Sequence, residues 1–163
     1  MTENPQITVL QEEIRKTRAI LDQQDDFYRS FLEGDYKRLG KSQTSAIIVA
    51  EVLTDVYTCL ETLFLRISQY FENNLTSSRW HADLLQKMTL RLEGIREPVI
   101  SDETYYLLNE LLKFRHFRRY YFEFEYDWDK LDFLLKKYEQ LRERISGELQ
   151  AFDDFLENVK AEA

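Results

Sequence analysis

The stretch AIIVAEVLTDVYTCLETLFLRISQY, residues 46–70, decides the fold class. Its apolar residues recur every three or four positions, which places them in one stripe along an α-helix. The stripe comprises Val49, Leu53, Val56, Leu60, Leu63, Ile67 and Tyr70, and it is widened by Ile48, Val52, Cys59 and Phe64. A helix with so broad an apolar surface contacts neighbours on several sides. The pattern therefore predicts either the centre of a helical bundle or a subunit interface.

The segments on both sides of this stretch show the same helical period. They predict a long helix over residues 7–31, a short helix at about residues 80–92, and long helices that lead to Phe114 and run over residues 127–156. Four Gly and two Pro leave little turn chemistry for a many-stranded β fold. Short links between long helices favour antiparallel neighbours. The sequence therefore predicts one all-α domain over residues 1–163, an up-and-down bundle of four long helices plus one short helix.

Polar residues at the predicted helix starts are suited to capping. Their side-chain oxygens accept hydrogen bonds from the backbone N–H groups that the first turn leaves without partners. The predicted caps are Ser42 or Thr44 for the central stretch, Ser101 or Asp102 for the third long helix, and Asp127 for the last.

Composition and charge narrow the classes of function. The formal net charge is −8, so any contact with nucleic acid has to come from a local patch. One cysteine, Cys59, offers no disulfide framework and favours a reducing compartment. No apolar run is long enough to span a membrane, so the expected location is the cytoplasm. Two distant histidines and one cysteine do not supply a zinc site, so neither a metal nor a cofactor is expected.

The residues FRHFRRYYF, 114–122, form a compact cluster of Arg, His and Tyr in an acidic chain. A guanidinium group grips phosphate through its planar fork of N–H donors. Arg115 and Arg119 are four residues apart and share a helix face, so they are candidate residues for binding RNA or another phosphate. Arg118 is expected to point elsewhere. The alternative for these arginines is an ion pair with a nearby carboxylate, from Glu123, Glu125, Asp127 or Asp129.

Several local patterns coincide with those of one protein family. Residues 80–88 read W-H-x-x-L-L-x-x-M, Arg96 and Pro98 follow in the next loop, residues 114–119 read F-R-H-x-x-R, and Glu125 and Asp127 come just after. In these positions the chain resembles the HepT-like group of the HEPN superfamily. The resemblance implies an all-α bundle that often forms a homodimer. It also implies a toxin-type ribonuclease that is paired with a small nucleotidyltransferase antitoxin of the MNT type.

The catalytic signature of that family, R-x4-H-x-Y, is changed in this chain. Arg115 occupies the arginine position, but Tyr120 stands at the histidine position and Phe122 at the tyrosine position. An imidazole, with a pKa of about 6.5, can take up and release protons at neutral pH. A phenol, with a pKa of about 10, is a poor base there. The resemblance therefore implies a site that grips phosphate without the group that moves protons.

Neighbouring residues offer replacements for the changed positions. His116 lies one turn before Tyr120 and is a candidate base, which makes Arg115, His116 and Tyr120 the candidate catalytic residues; hydrogen bonding within the bundle is the alternative for His116. In the family, the antitoxin attaches AMP to the motif tyrosine, and Phe122 has no hydroxyl group to accept it. Tyr120 and Tyr121 are the remaining candidate acceptors. His81 is expected to pack at a helix start and not to belong to a site.

Three functions follow from these observations. The leading one is a HepT-like binding module with a degenerate ribonuclease site, which acts through dimerisation and a nucleotidyltransferase-type partner or through RNA binding without cleavage. The second is an active metal-independent ribonuclease in which His116 or Tyr120 transfers the proton. The third is a structural helical homodimer without a toxin role.

Overall fold

The computed structural model describes residues 4–72, 80–121 and 125–162. Within these ranges the chain forms six helices and no strand: α1 (Pro5–Glu33), α2 (Asp35–Leu39), α3 (Gln43–Phe71), α4 (Trp80–Lys87), α5 (Asp102–Tyr121) and α6 (Trp128–Glu162). The predicted all-α bundle is confirmed, with α1, α3, α5 and α6 as the long helices. The five-residue helix α2 is an addition that the sequence analysis does not predict. The short helix α4 ends at Lys87, earlier than the predicted boundary near residue 92.

Helix α3 lies at the centre of the bundle. It packs against all five other helices, and α6 also contacts α1 and α5, which closes the ring of long helices. The apolar stripe of α3 is buried from Val49 to Ile67, with Leu53, Leu60 and Ile67 each 0% exposed, and Tyr70 at its end is partly buried. Full burial of such a side chain stabilises the fold by about 1.5–3 kcal/mol. Of the two interpretations that the stripe left open, the bundle centre is confirmed, and a subunit interface stays a prediction.

The helix starts use the predicted capping residues. The Ser42 hydroxyl accepts a hydrogen bond from the Ser45 amide at 3.1 Å. The Ser101 hydroxyl accepts from the Thr104 amide at 3.2 Å, and the Asp127 carboxylate accepts from the Asp129 amide at 2.9 Å. These bonds fix where α3, α5 and α6 begin. No described helix is both long and apolar enough to cross a membrane.

The loop between α4 and α5 is organised around one buried arginine. Arg96 is 2% exposed. Its guanidinium donates to the carboxylate of Glu72 at the end of α3, with an Nε–Oε1 distance of 2.9 Å. It also donates to three backbone carbonyl oxygens, those of Lys87 at 2.9 Å, Leu90 at 3.0 Å and Glu97 at 3.3 Å. Because Lys87 is the last residue of α4, Arg96 ties the end of this helix to the end of α3.

We expect Arg96→Met to lower the free energy of unfolding by about 3–5 kcal/mol, because it leaves the Glu72 carboxylate and three carbonyl groups without their donor. Urea denaturation followed by circular dichroism measures the change. The matched control is Arg91→Met, since Arg91 pairs with Glu97 at 2.8 Å but its side chain is 70% exposed. A surface pair of that kind contributes about 0–1 kcal/mol. Equal losses for the two variants would contradict the assigned role of Arg96.

Candidate functional site: a buried Glu–Arg–His cluster

Arg115 reaches from α5 to the middle of α3, where it pairs with Glu61. The two terminal nitrogens of the guanidinium each donate to one carboxylate oxygen, with Nη1–Oε1 at 3.0 Å and Nη2–Oε2 at 3.1 Å. Nη1 also donates to the Thr58 hydroxyl at 3.3 Å. Beneath the pair, the guanidinium carbon lies 4.6 Å from the centre of the Tyr57 ring. Glu61 is only 8% exposed, so this is a largely desolvated ion pair in the two-pronged geometry that arginine favours.

His81, in the first turn of α4, completes the cluster. Its Nδ1 lies 2.8 Å from Glu61 Oε2 and 3.2 Å from Arg115 Nη2. An ionised carboxylate can only accept and a guanidinium can only donate, so Nδ1 forms a hydrogen bond with only one of them. We assign the proton to Nδ1, which donates it to the carboxylate over the shorter distance, and the contact with Arg115 is then not a hydrogen bond. The neighbouring Trp80 ring lies against the imidazole, with 3.6 Å between ring centres. Both close contacts use Nδ1, which makes Nε2 the nitrogen through which this ring can exchange a proton.

Tyr57, Glu61, His81 and Arg115 are called the Glu61 cluster below. Tyr57 is 1% exposed. Burial, followed by the negative charge of Glu61, raises the pKa of the Tyr57 hydroxyl far above its ordinary value, and the charge of Arg115 opposes this only in part. Tyr57 therefore stays neutral at physiological pH. The cluster combines a compensated carboxylate–guanidinium pair with one imidazole.

The structure answers the question of which carboxylate pairs with Arg115. The partner is Glu61 on α3, 54 residues away in the chain, and not one of the described carboxylates that follow α5. His81 belongs to the same cluster and does more than pack at a helix start. One sequence signal points to Glu61: it is a carboxylate within the apolar stretch that predicts the central helix. Such a position indicates a paired charge, because an unpaired carboxylate is very costly to bury.

Arg118 and Arg119 lie in different surroundings. Arg118 points to α3, where it donates to the Ala50 carbonyl at 3.0 Å, to the Thr54 hydroxyl at 2.8 Å and to Glu51 at 3.2 Å. Arg119 is exposed and makes no hydrogen bond or ion pair within the ranges given above. Arg115 and Arg119 therefore do not share one open surface, because the Arg115 side chain is only 16% exposed.

The remaining candidate residues are placed only in part. His116 is exposed on α5 and is not a member of the Glu61 cluster, although it has contacts of its own. The side chains of Tyr120 and Tyr121, together with Phe122, lie outside the described residues. The replacement base and the AMP acceptors predicted at these positions therefore stay predictions. In the part of the chain that the structure describes, no group of three or more His, Cys, Asp or Glu side chains could hold a metal ion.

Residues 48–156 match the model of a protein family described as HepT-like protein. The match covers more than half of the chain and contains the whole Glu61 cluster. The chain belongs to the HepT-like family. Neither a curated protein nor a solved structure matches it. In this HepT-like protein, Arg115 is therefore held by a carboxylate from the central helix.

Removal of one partner from the Arg115–Glu61 pair is expected to destabilise this HepT-like protein. For Arg115→Met we expect a loss of about 3 kcal/mol in the free energy of unfolding, because the Glu61 carboxylate stays buried. The double variant Glu61→Leu with Arg115→Met should lose less than the sum of the two single variants, since its second change removes the stranded charge.

The matched control for this cycle is Arg119→Met, on the same helix but exposed, for which a change within about 0.5 kcal/mol is expected. Urea midpoints for the wild type and all four variants provide the measurement. Strict additivity of the two single changes would mean that the pair contributes nothing as a unit.

Proposed function

We propose that this HepT-like protein is a binding module with a degenerate ribonuclease site. It acts through dimerisation and a nucleotidyltransferase-type partner, or through RNA binding without cleavage. The observation that carries the proposal is the bidentate pair between Arg115 and Glu61, at 3.0 and 3.1 Å. Arg115 is the one residue of the R-x4-H-x-Y pattern that this chain retains, and its fork of donors is already occupied.

The cost of opening the pair supports this proposal. A phosphate that used the same two donors would have to displace the Glu61 carboxylate, which is 8% exposed and would lose its guanidinium partner. Leaving a buried charge without its partner costs about 3–5 kcal/mol. Two charge-assisted hydrogen bonds to the incoming phosphate, at about 1.5–3 kcal/mol each, only offset this cost, so the exchange of partners brings little net gain. RNA that binds this protein is therefore expected to do so without strong use of Arg115.

Proton chemistry supports the same conclusion. The chain has Tyr120 where the motif requires histidine, and a phenol is almost fully protonated at neutral pH. Loss of one positioned acid–base group typically lowers a rate by about 10²–10⁴. The occupied fork of Arg115 and the loss of the motif histidine both weaken cleavage.

A nucleotidyltransferase-type partner is the expected binding protein, since the HepT-like family is typically paired with one. Phe122 cannot accept AMP, so Tyr120 or Tyr121 is the acceptor if modification persists. Co-purification with the product of an adjacent nucleotidyltransferase gene, followed by peptide mass analysis of residues 114–122, tests both parts of this proposal.

A second candidate function is a metal-independent ribonuclease, and one observation favours it. The imidazole of His81 lies 3.2 Å from Arg115 and is oriented by Glu61 at 2.8 Å. A carboxylate-oriented histidine beside an arginine is an arrangement that general acid–base catalysis uses. In this case His81 joins His116 and Tyr120 as a candidate for the proton transfer.

A cleavage assay separates the two functions. With a fluorescent single-stranded RNA in chelator, we expect background cleavage by the wild type, because the motif histidine is replaced. His116→Ala and His81→Gln should give the same background. A clear wild-type rate that His81→Gln abolishes would overturn the binding module and support the second candidate. A stable homodimer that binds neither RNA nor a nucleotidyltransferase would instead support a structural dimer.

The occupied fork of Arg115 generates a separate prediction. Glu61→Gln keeps the shape of the side chain but removes its charge, so Arg115 becomes available to phosphate. We expect the dissociation constant for a labelled single-stranded RNA to fall by about tenfold, which corresponds to about 1.4 kcal/mol. Fluorescence anisotropy at fixed salt provides the measurement.

The matched control for net charge is Glu51→Gln. Glu51 lies on α3, as Glu61 does, and its exposed carboxylate pairs with Arg118, which this variant frees. We expect that variant to change RNA affinity by less than about threefold, since an exposed pair contributes about 0–1 kcal/mol. Equal effects of the two variants would mean that net charge, and not Arg115, sets the RNA affinity.

A further inference from the structure

A groove of about 520 Å³ lies between α1 and α3, on a surface apart from the Glu61 cluster. Its apolar part contains Phe27 from α1 and Ile47, Ile48 and Val52 from α3. Phe27 is 56% exposed and Ile47 is 42% exposed, so two large apolar side chains on adjacent helices face solvent at one place. Exposed apolar surface of this kind typically marks an interaction site.

The same groove has an acidic edge. Ile47, Glu51 and Asp55 are four residues apart along α3 and therefore follow one line on the helix. Glu51 pairs with Arg118 at 3.2 Å, but its side chain remains 61% exposed. Asp55 makes no hydrogen bond or ion pair with any residue that the structure describes. Burial, followed by the negative charge of Glu51, raises the pKa of the Asp55 carboxyl, and Arg118 opposes this shift. The groove therefore contains a partly buried carboxylate whose charge Arg118 compensates only in part.

We propose that this groove binds a basic amphipathic helix of a partner protein, with apolar side chains against Phe27 and Ile47 and a Lys or Arg against Asp55. The inference rests on the proposed role as a binding module and specifies the kind of partner. A helix that presents apolar anchors at i and i+4 is a common ligand for a groove between two helices. The cation fits because Asp55 has no partner of its own in the described ranges.

The length of the groove defines the binding segment. From Ile47 to Asp55 the axis of α3 rises by about 12 Å, at about 1.5 Å per residue. This distance corresponds to about two turns of a partner helix. The apolar anchors then lie in one turn, and the basic residue follows in the next.

The charges of the groove decide between possible occupants. A second copy of this chain would bring a second Glu51 and a second Asp55 to a two-fold interface, and like charges placed together oppose association. RNA is disfavoured because both carboxylates repel phosphate. A cationic helix is attracted by the same charges and by the net charge of −8.

Two synthetic helical peptides with the same leucine spacing test the proposal, one with lysine and one with glutamate at all polar positions. Titration calorimetry against the full chain should detect binding of the lysine peptide only. We expect Phe27→Ser and Asp55→Lys each to weaken this binding by at least about tenfold, because each removes an anchor worth about 1.4 kcal/mol or more. Circular dichroism checks that every variant is folded.

Two matched controls accompany these variants. Val9→Ser removes a side chain that is 59% exposed at the other end of the α1–α3 seam, in a separate groove. Glu143→Lys makes the same change in net charge as Asp55→Lys but lies on α6. Neither control should change the affinity by more than about twofold, which is within about 0.5 kcal/mol.

Any of three peptide-binding results would overturn the proposal: no binding of the lysine peptide, equal binding of the glutamate peptide, or equal losses from the control variants. A concentration-dependent homodimer that Phe27→Ser dissociates would also overturn it, because the occupant would then be a second copy. The RNA cleavage assay is independent of this groove. If the protein cleaves RNA and also binds the lysine peptide selectively, the groove proposal stands, and only the proposed lack of ribonuclease activity is refuted.

Discussion

The carboxylate of Glu61 is the constraint on which the arrangement of three helices depends. It projects from the central helix into a largely buried place, where an unpaired charge would be prohibitively costly. Arg115 compensates it from α5, and His81 adds a hydrogen bond from α4. The position of α4 and the rotation of α5 about its axis both have to satisfy this requirement. Apolar packing alone specifies neither, because leucines tolerate small rotations that a two-pronged ion pair does not.

The same pair limits the chemistry of the site. A guanidinium that stabilises the fold cannot grip a phosphate at the same time with the same two donors. In this HepT-like protein, Arg115 is therefore a structural residue, whatever part it takes in an active site. The imidazole of His81 lies beside this guanidinium, and its Nδ1 is already engaged with Glu61. The cleavage assay decides whether this imidazole takes part in catalysis.

The fold could be predicted from the sequence because its signals are local. The apolar period of residues 46–70 predicts the central helix, and Ser42, Ser101 and Asp127 mark three helix starts. The site could not be predicted to the same extent. The partner of Arg115 is 54 residues away, and only the packing of α5 on α3 brings the two together. The early end of α4 has the same kind of cause, because Arg96 binds the carbonyl group of its last residue, Lys87, and that of Leu90 just beyond it. The groove at Phe27 depends on how α1 lies against α3, which a helical period does not reveal.

The eight residues of α4 are anchored at both ends by side chains from other parts of the chain. His81 attaches the first turn to Glu61, and Arg96 attaches the last carbonyl to Glu72. Restraint at both ends limits tilting and sliding of the helix against α3. The imidazole therefore keeps its distance from the buried carboxylate while the surface of the helix stays open to solvent.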